Sequence, residues 1–537
     1  MKASISTIPI VLIFVSLSIS LTTSNDSVNF DNFLRCLSVH ANPLVPIADA
    51  ILTPTNSSFE YIYQLRASNL RTLLSSTPRP VAIITALHPS HAQATVVCAK
   101  HHGFQVRIRS GGHDFEGLSY TSDVPFVILD MFNLHSIDVD IESETAWVQA
   151  GATTGELYYR IAEKSKVHGF PSGFGTTIGI GGHFSGGGYG FLMRKYGLSI
   201  DNVIDAELID ANGRILNRES MGEDVFWAIR GGGATSFGII LSWRVKLVRV
   251  PPRVTVFTVP RTLEQGATEL VYRWQQVAPK LPKDIFIRLQ PQPIKNGSNS
   301  RTVRVLFFGH FLGQTDRLMR LMNTKFPELG LERSDCLEMS WVESTIYMAG
   351  FRNETSIDVL LDRVRVNRSF SKTKSDYYKT VIPKQGLETL WKAMMDIGDI
   401  MVQMNPYGGR MKEISESETA FAHRGGNLFM VLYMVLWSES EGGIDAAARH
   451  VELSRMLYRA MAPYASSNPR EAFLNYRDLD VGSEESFGTD FEVAKEYGTK
   501  YFGNNFLRLA GVKAMIDPEN FFKNEQSIPP LPMRATQ

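Results

Sequence analysis

Only three cysteines occur in 537 residues, and neither sign of charge is in excess: 55 Lys and Arg stand against 55 Asp and Glu. Without a basic surplus nothing is left over to neutralise phosphates, which argues against a nucleic-acid partner. After the first two dozen residues no apolar run is long enough to span a bilayer, so stable membrane insertion is not expected. Internal repeats and low-complexity segments are also missing. No metal site is expected. The phosphate loop G-x-x-x-x-G-K-[ST] of nucleotide hydrolases does not occur, nor does a G-x-G-x-x-G that opens a helix inside a strand-helix-strand unit.

Met1-Lys2, the apolar run Ile8 to Ile19 and the small polar residues Thr22 to Ser24 read as a cleaved signal peptide. The mature chain is then expected in the secretory pathway, outside the cell or in the vacuole, and as a monomer. Cys36 and Cys98 can close a loop in an oxidising compartment, with Cys336 left over, and three separate buried thiols are the alternative. Sequons at Asn56, Asn296, Asn353 and Asn367 mark surface loops for glycans. The length exceeds one ordinary core, so two or more domains are expected.

What is abundant is glycine, in two stretches: Arg107-Ile-Arg-Ser-Gly-Gly-His113-Asp-Phe-Glu-Gly117 and Ile178-Gly-Ile-Gly-Gly-His183-Phe-Ser-Gly-Gly-Gly-Tyr189-Gly190. Backbone N–H groups there can approach an anion that Cβ atoms would obstruct. From the residues alone this predicts a dinucleotide-like ligand held by backbone.

These stretches, with Trp227-Ala-Ile-Arg-Gly-Gly-Gly-Ala234, Asn475-Tyr-Arg-Asp-Leu-Asp480 and Asn520-Phe-Phe-Lys-Asn-Glu-Gln-Ser-Ile-Pro529, resemble the plant berberine bridge enzyme-like flavoproteins from about Phe30 to Pro532. The resemblance implies FAD as cofactor, bonded through His113, with an ordinary hydrogen-bonded loop histidine as the alternative. It further implies cofactor contacts at Arg109, Ser110, Gly111, Gly112, Ile178, Gly181, Gly182, His183, Gly186, Gly238 and Asn505. A Cys36–Cys98 bridge is favoured by the family pattern.

Strand and helix patterns alternate from Ala82 to about Val250, among them strands at Ala82–Leu87, Val106–Arg109, Val127–Met131 and Thr145–Ala150 and helices at His91–His101 and Thr154–Lys164. Apolar spacing also predicts helices over Phe30–Leu37 and Leu70–Leu74. Pro251-Pro252 breaks the pattern. Strands at Val254–Val259, Ile285–Gln290 and Thr302–Gly309, with helices at Leu263–Val277 and Leu387–Ile397, then suit an antiparallel sheet covered on one face. The expected fold is α+β: an FAD-binding part of two α/β subdomains plus a substrate domain with a large antiparallel sheet backed by helices. Expected boundaries are a leader over 1–24, the FAD part over 25–76 and 77–252, a substrate domain over 253–474, and a segment over 475–537 that returns to the FAD part.

Three departures from the family stand out. Gly175 occupies the place of a cysteine that forms a second flavin bond in most members, so one link, through His113, is expected. On the strand Asn427–Trp437, Met430 and Leu432 replace residues that are commonly polar and face the flavin. Phe115 stands where oxidoreductases of phenylpropanoid alcohols carry tyrosine. With Arg288, these residues are expected to line the substrate pocket. Tyr476, the family's base, and Tyr189 remain as titratable candidates, and Arg477 or Arg410 could supply the positive charge a phenolate needs.

Two functions fit. One is an FAD-dependent oxidase of an aromatic or phenolic plant natural product, with oxidative cyclisation as one outcome and hydrogen peroxide released, since a β-branched Ile178 resembles the oxygen-admitting residue of related oxidases. The other is a cyclase that keeps FAD without net redox change, an intermolecular Diels-Alderase, resting on positioning. For either function a phenolic or isoprenoid-like aromatic is expected in preference to a carbohydrate, because the Met and Leu face would leave sugar hydroxyls unpaired at roughly 1–3 kcal/mol each.

Overall fold

The computed structural model describes residues 28–73, 77–297, 300–364, 368–483 and 490–532. The expected leader and the sequon at Asn367 lie outside them. Residues 28–40 form a helix, as the spacing from Phe30 predicts. Its Cys36 is bonded to Cys98, Cα atoms 5.8 Å apart, on the helix Pro89–His102. That second helix starts on a proline, where the missing N–H costs nothing, and ends at Gly103 with φ 72°. Cys336 is free and half-buried. Leu70–Leu74 does not make a helix: within the described residues it gives one 3-10 turn, Leu70–Thr72, where Asn69 caps the Arg71 N–H.

Two sheets follow. β1 (Ile51–Leu52), β2 (Ala82–Thr85), β3 (Gln105–Arg109) and β4 (Phe126–Asp130) are ordered β1-β2-β4-β3, and the last three are parallel. Parallel strands are buried on both faces, which is why Phe126-Val-Ile-Leu129 is apolar throughout. β5 (Ile137–Asp140), β6 (Thr145–Gln149), β8 (Val203–Ile209), β9 (Ile215–Leu216) and β10 (Ile239–Lys246) form an antiparallel sheet, β5-β6-β10-β8-β9, beside a small pair of β7 (His168–Gly169) and β11 (Val248–Arg249). The helix Thr154–Lys164 carries a complete capping box, Thr153 with Glu156, and buries Leu157, Tyr158 and Ile161.

Beyond the two prolines, β12 (Val254–Thr262), β13 (Ile285–Asn296), β14 (Ser300–Phe311), β15 (Cys336–Met339), β16 (Phe370–Tyr378), β17 (Ile400–Pro406) and β18 (Phe429–Trp437) build one antiparallel sheet, β15-β12-β14-β13-β17-β18-β16. The helices Ala267–Val277, Lys384–Ile397 and Ala447–Met461 cover one face, packing Trp274, Leu390 and Leu457 with Ile287, Leu289, Met404 and Val431. The helix predicted over Leu263–Val277 is divided at Gly266, whose φ of 80° halts the first turn. The fold is α+β, as expected.

The opposite sheet face meets the glycine-bearing unit. Arg194 clamps the two: its guanidinium donates to the carbonyls of Tyr407, Leu281 and Ile285 at 2.9, 2.8 and 2.5 Å. Arg424 pairs with Asp201 at 2.7 Å. The closing helices Phe491–Phe502 and Phe506–Ile516 share a core with Trp227 and Phe226, so the chain ends back on the first unit. Asn56, Asn296 and Asn353 are exposed.

Candidate active site

β3 runs into Ser110-Gly111-Gly112-His113, and this turn lies back to back with Gly179. A Cβ on Gly111 would sit 2.2 Å from the Gly179 nitrogen, and one on Gly179 would sit 2.1 Å from the Gly111 nitrogen. Glycine is therefore required at both places by close approach. His113 Nε2 lies 3.0 Å from the Thr177 hydroxyl. Ser110 donates to the Ala150 carbonyl at 2.6 Å, and Gly181 packs on the same carbonyl.

Beside this contact the backbone leaves an opening, a slot, at Gly182. Gly182 is exposed with open space where its Cβ would be, although most of its motif is buried. His183 next to it is half-buried, with Nε2 shielded from solvent and no hydrogen-bond partner among the described residues. Burial, with His113 nearby, pushes its pKa down to about 4, so the ring is neutral. A slot floored by backbone, with a buried ring nitrogen in want of a partner, fits a flavin dinucleotide.

Three of the expected cofactor contacts have their side chains or Cα engaged elsewhere, so any contact they make is through backbone. The Arg109 guanidinium points under the sheet, paired with Asp130 at 2.6 Å and donating to the Tyr63 and Ile62 carbonyls, so it does not reach the slot. Asn505 spends its amide on the carbonyls of Glu416, Thr419 and Ala420. Gly238 packs on β8, where a Cβ would meet the Ile209 carbonyl at 2.4 Å. Gly186 instead seats Asn475, which donates to the His183 carbonyl at 2.9 Å and ties the glycine motif to the tyrosine segment.

Six residues beyond His183, Tyr189 shares a short hydrogen bond with Tyr476, hydroxyl to hydroxyl. Asn405 Nδ2 donates to the Tyr189 hydroxyl at 3.3 Å, Arg288 Nη2 at 3.5 Å, and Arg288 Nε donates to Asn405 Oδ1 at 2.7 Å. The guanidinium lies 3.4 Å over the Phe174 ring. Burial raises the pKa of both phenols, that of Tyr476 well above the ordinary value, with Tyr189 adding to it; Arg288 opposes the rise at each. Phe115 meets Tyr476 edge-on, centroids 5.8 Å apart, which places the pair beside the His113 turn.

The cation beside the pair is thus Arg288, not Arg410 or Arg477. Arg410 is half exposed and faces Glu413. Arg477 lies one residue past Tyr476, and its charge acts on Tyr501. Asn405 was not found from sequence, because antiparallel register sets it there: β13 and β17 align Leu289 with Met404, which places Arg288 opposite Asn405.

The alternation on β18 holds. Phe429, Val431, Tyr433 and Val435 enter the helix-backed core, while Met430 packs with Tyr189, Tyr377 and Phe473. Met430 and Leu432 are both buried. The wall around them is nevertheless mixed, since Asn405 lies opposite Met430 and Gln403 opposite Leu432.

An ionic knot fixes the arrangement. Lys372 on β16 reaches Asp478 at 2.6 Å and also Glu116; Lys374 reaches Asp478 at 2.8 Å and Asp480 at 2.6 Å. Both lysines are buried, so losing one partner should cost about 3–5 kcal/mol. Glu116 is three residues from His113 and Asp478 two from Tyr476, so the knot joins the histidine turn, the sheet and the tyrosine segment.

A backbone-walled slot beside a hydrogen-bonded phenol pair fits a flavin-binding oxidoreductase. A family model described as FAD binding domain matches residues 80–218, and one described as berberine and berberine like matches 472–529. Berberine bridge enzyme-like 17 of Arabidopsis thaliana is 52% identical over 523 residues, 97% of this chain and 98% of that protein. Tetrahydroberberine oxidase of Berberis wilsoniae is 49% identical, covering 96% and 98%. The solved structure of the Arabidopsis thaliana protein BBE-like #28 superposes with a TM-score of 0.88 at 44% identity, over 94% of this chain and all of that one. Phl p 4, a grass pollen allergen with glucose dehydrogenase activity, gives 0.88 at 40%, over 93% and 100%. The chain belongs to the berberine bridge enzyme-like family of FAD-linked oxidoreductases. Among the described residues no helix is long and apolar enough to cross a membrane.

Proposed function

We propose that this protein oxidises an aromatic or phenolic plant natural product, with Tyr476 as base and FAD held by one covalent link through His113. The observation that carries it is the hydrogen-bonded Tyr476–Tyr189 pair facing Arg288 and Asn405 beside the His113 turn. FAD, when bound, takes up a hydride equivalent. The chain orients the substrate between Met430, Leu432 and Phe115 and receives the departing proton. A single negative charge shared by the two phenol oxygens is stabilised by the Arg288 guanidinium and the Asn405 amide, which supports the pair as the proton acceptor.

Gly175 supports the single link, because it has no side chain to bond. Ile178 bears on the acceptor. Structures of Phl p 4 are described as a glucose dehydrogenase in the wild type and when an asparagine is replaced by histidine, and as a glucose oxidase when an isoleucine five residues earlier is replaced by valine. Ile178 and His183 stand at the same spacing here. This favours an acceptor other than dioxygen over the peroxide-releasing oxidase expected from a β-branched residue alone.

The non-redox cyclase rests on Met430, Leu432 and Gly175, none of which exchanges a proton or bonds the flavin. Anaerobic mixing with candidate substrates separates the two readings: bleaching of the oxidised flavin band supports oxidation, and product with an unchanged band supports the cyclase. Tyr476→Phe is expected to slow bleaching by about 10²–10⁴-fold; unchanged rates would remove Tyr476 as base. We place the mature chain, as a monomer with a glycosylated surface, in the secretory pathway.

A further inference from the structure

Three sequon asparagines lie among the described residues, and their side chains differ in what they do. Asn56 accepts from the Thr53 N–H at 2.7 Å, and Asn296 Nδ2 donates to Glu264 at 3.3 Å. Asn353 is exposed, and its side chain makes no hydrogen bond among the described residues. The Thr355 N–H donates to the Arg352 carbonyl at 3.1 Å, so Asn353-Glu-Thr355 sits in a turn. That turn borders a surface groove of about 300 Å³, whose other walls are the helix Trp341–Met348 and β15. Ile346 and Tyr347 come from the helix, and Leu337, Glu338 and Met339 from β15. Successive strand residues point to opposite faces, so a groove that touches all three runs along the edge of the strand. β15 is the outermost strand of its sheet, and its Glu338 carbonyl is met by Arg253 at 2.6 Å rather than by another strand. Arg352 also lines the groove, exposed and with no partner for its guanidinium among the described residues. Phe351, two residues before Asn353, is 38% exposed.

We infer that this groove is a carbohydrate seat, and that its occupant is the first N-acetylglucosamine of a glycan carried by Asn353 itself. Ligand pockets run from roughly 300 to 1,000 Å³, so this one suits a sugar ring or two rather than a protein element. Its lining has two characters. Ile346 and Tyr347 offer an apolar floor to the C–H face of a pyranose, and the exposed Phe351 ring adjoins the attachment point. The Tyr347 ring is held in place by stacking on Phe308, centroids 5.4 Å apart, and by its hydroxyl contact with Thr258 at 2.7 Å. The open strand edge and the Arg352 guanidinium supply hydrogen bonds for the sugar hydroxyls and the acetamide carbonyl. An open groove would hold a free sugar weakly, but a sugar tethered at its rim is presented at an effective concentration on the order of millimolar. The bound sugar also has a structural use, since an open strand edge invites pairing with another chain and a glycan covers it. The seat rests on the proposed secretory route, since without it no sugar is added.

The test uses the full-length, flavin-loaded protein secreted with oligomannose glycans, and an endoglycosidase that cuts between the first two N-acetylglucosamines. Peptide masses report occupancy at each sequon and, on occupied chains only, the rate of release. In the native wild type the Asn353 glycan should be released about 10-fold or more slowly than in the denatured chain, whereas the glycans on Asn56 and Asn296 should differ by less than about 2-fold. Phe351→Ala/Arg352→Ala keeps the sequon and changes only exposed side chains. It should raise the native rate at Asn353 about 10-fold and leave the flavin spectrum unchanged. Sugar on Asn56 or Asn296 but not on Asn353, native release at Asn353 as fast as in the denatured chain, or protection that survives in the double variant would overturn the seat and leave the secretory route standing. Sugar on none of the sequons would overturn both. A dimeric wild type with an unprotected Asn353 glycan would give the strand edge to a second copy and likewise overturn the seat.

Discussion

The glycine slot and the sheet wall are made in opposite ways. In the slot, two short glycine stretches do the work with backbone, and an atom added at Gly111 or Gly179 collides with main chain. In the wall, side chains from strands more than a hundred residues apart meet by register, as Arg288 meets Asn405. A slot built from touching backbones tolerates almost no change, whereas a wall built from a flat sheet face can exchange side chains and keep its fold. Family chemistry is thus held by the first and substrate choice by the second.

The comparison breaks most sharply at Gly179→Ala. Its Cβ would lie 2.1 Å from the Gly111 nitrogen, and backbone cannot step aside, so the purified protein should lose its flavin absorbance altogether. Gln403→Leu on the wall should leave that absorbance intact.

A smaller effect is expected at the rim, where slot and wall touch. Ile178→Val removes one methyl group, and reoxidation of the reduced enzyme in air, followed by stopped flow, should speed up by about 10-fold or more if Ile178 closes the oxygen path. Smaller still is the change at Gly175. A Cβ there would come within 2.9 Å of Ile178 Cδ1, the movable end of a side chain. Gly175→Cys combined with Ile178→Val should therefore accept the cysteine and yield a flavin peptide whose mass shows two tethers; the wild-type peptide should show one, through His113.

The same division explains what could be read from the chain alone. The apolar spacing over Thr154–Lys164 and the β18 alternation are local patterns, and each led to the right element. Tyr189 and Tyr476 were identified as candidates, but their contact spans 287 positions. No local pattern reports that Arg288 sits beside them, so Arg410 and Arg477, close to other motifs, were preferred instead. Arg109 shows the same limit: it adjoins the glycine turn, yet alternation along β3 sends its side chain to Asp130. Gly266 shows the limit within one element, since apolar spacing continues through a residue whose φ of 80° interrupts the helix.

The most direct measurement is the pH dependence of anaerobic flavin reduction in the wild type and in Arg288→Met. A base must lose its proton before it can act, and burial has raised the pKa of both phenols above the ordinary value. The rate should therefore climb from about pH 6 to about pH 9 without a plateau. Without the guanidinium that favours the phenolate, it should be lower throughout and climb at higher pH. A rate independent of pH over this range, or a profile that Arg288→Met leaves in place, would contradict the phenol pair as proton acceptor.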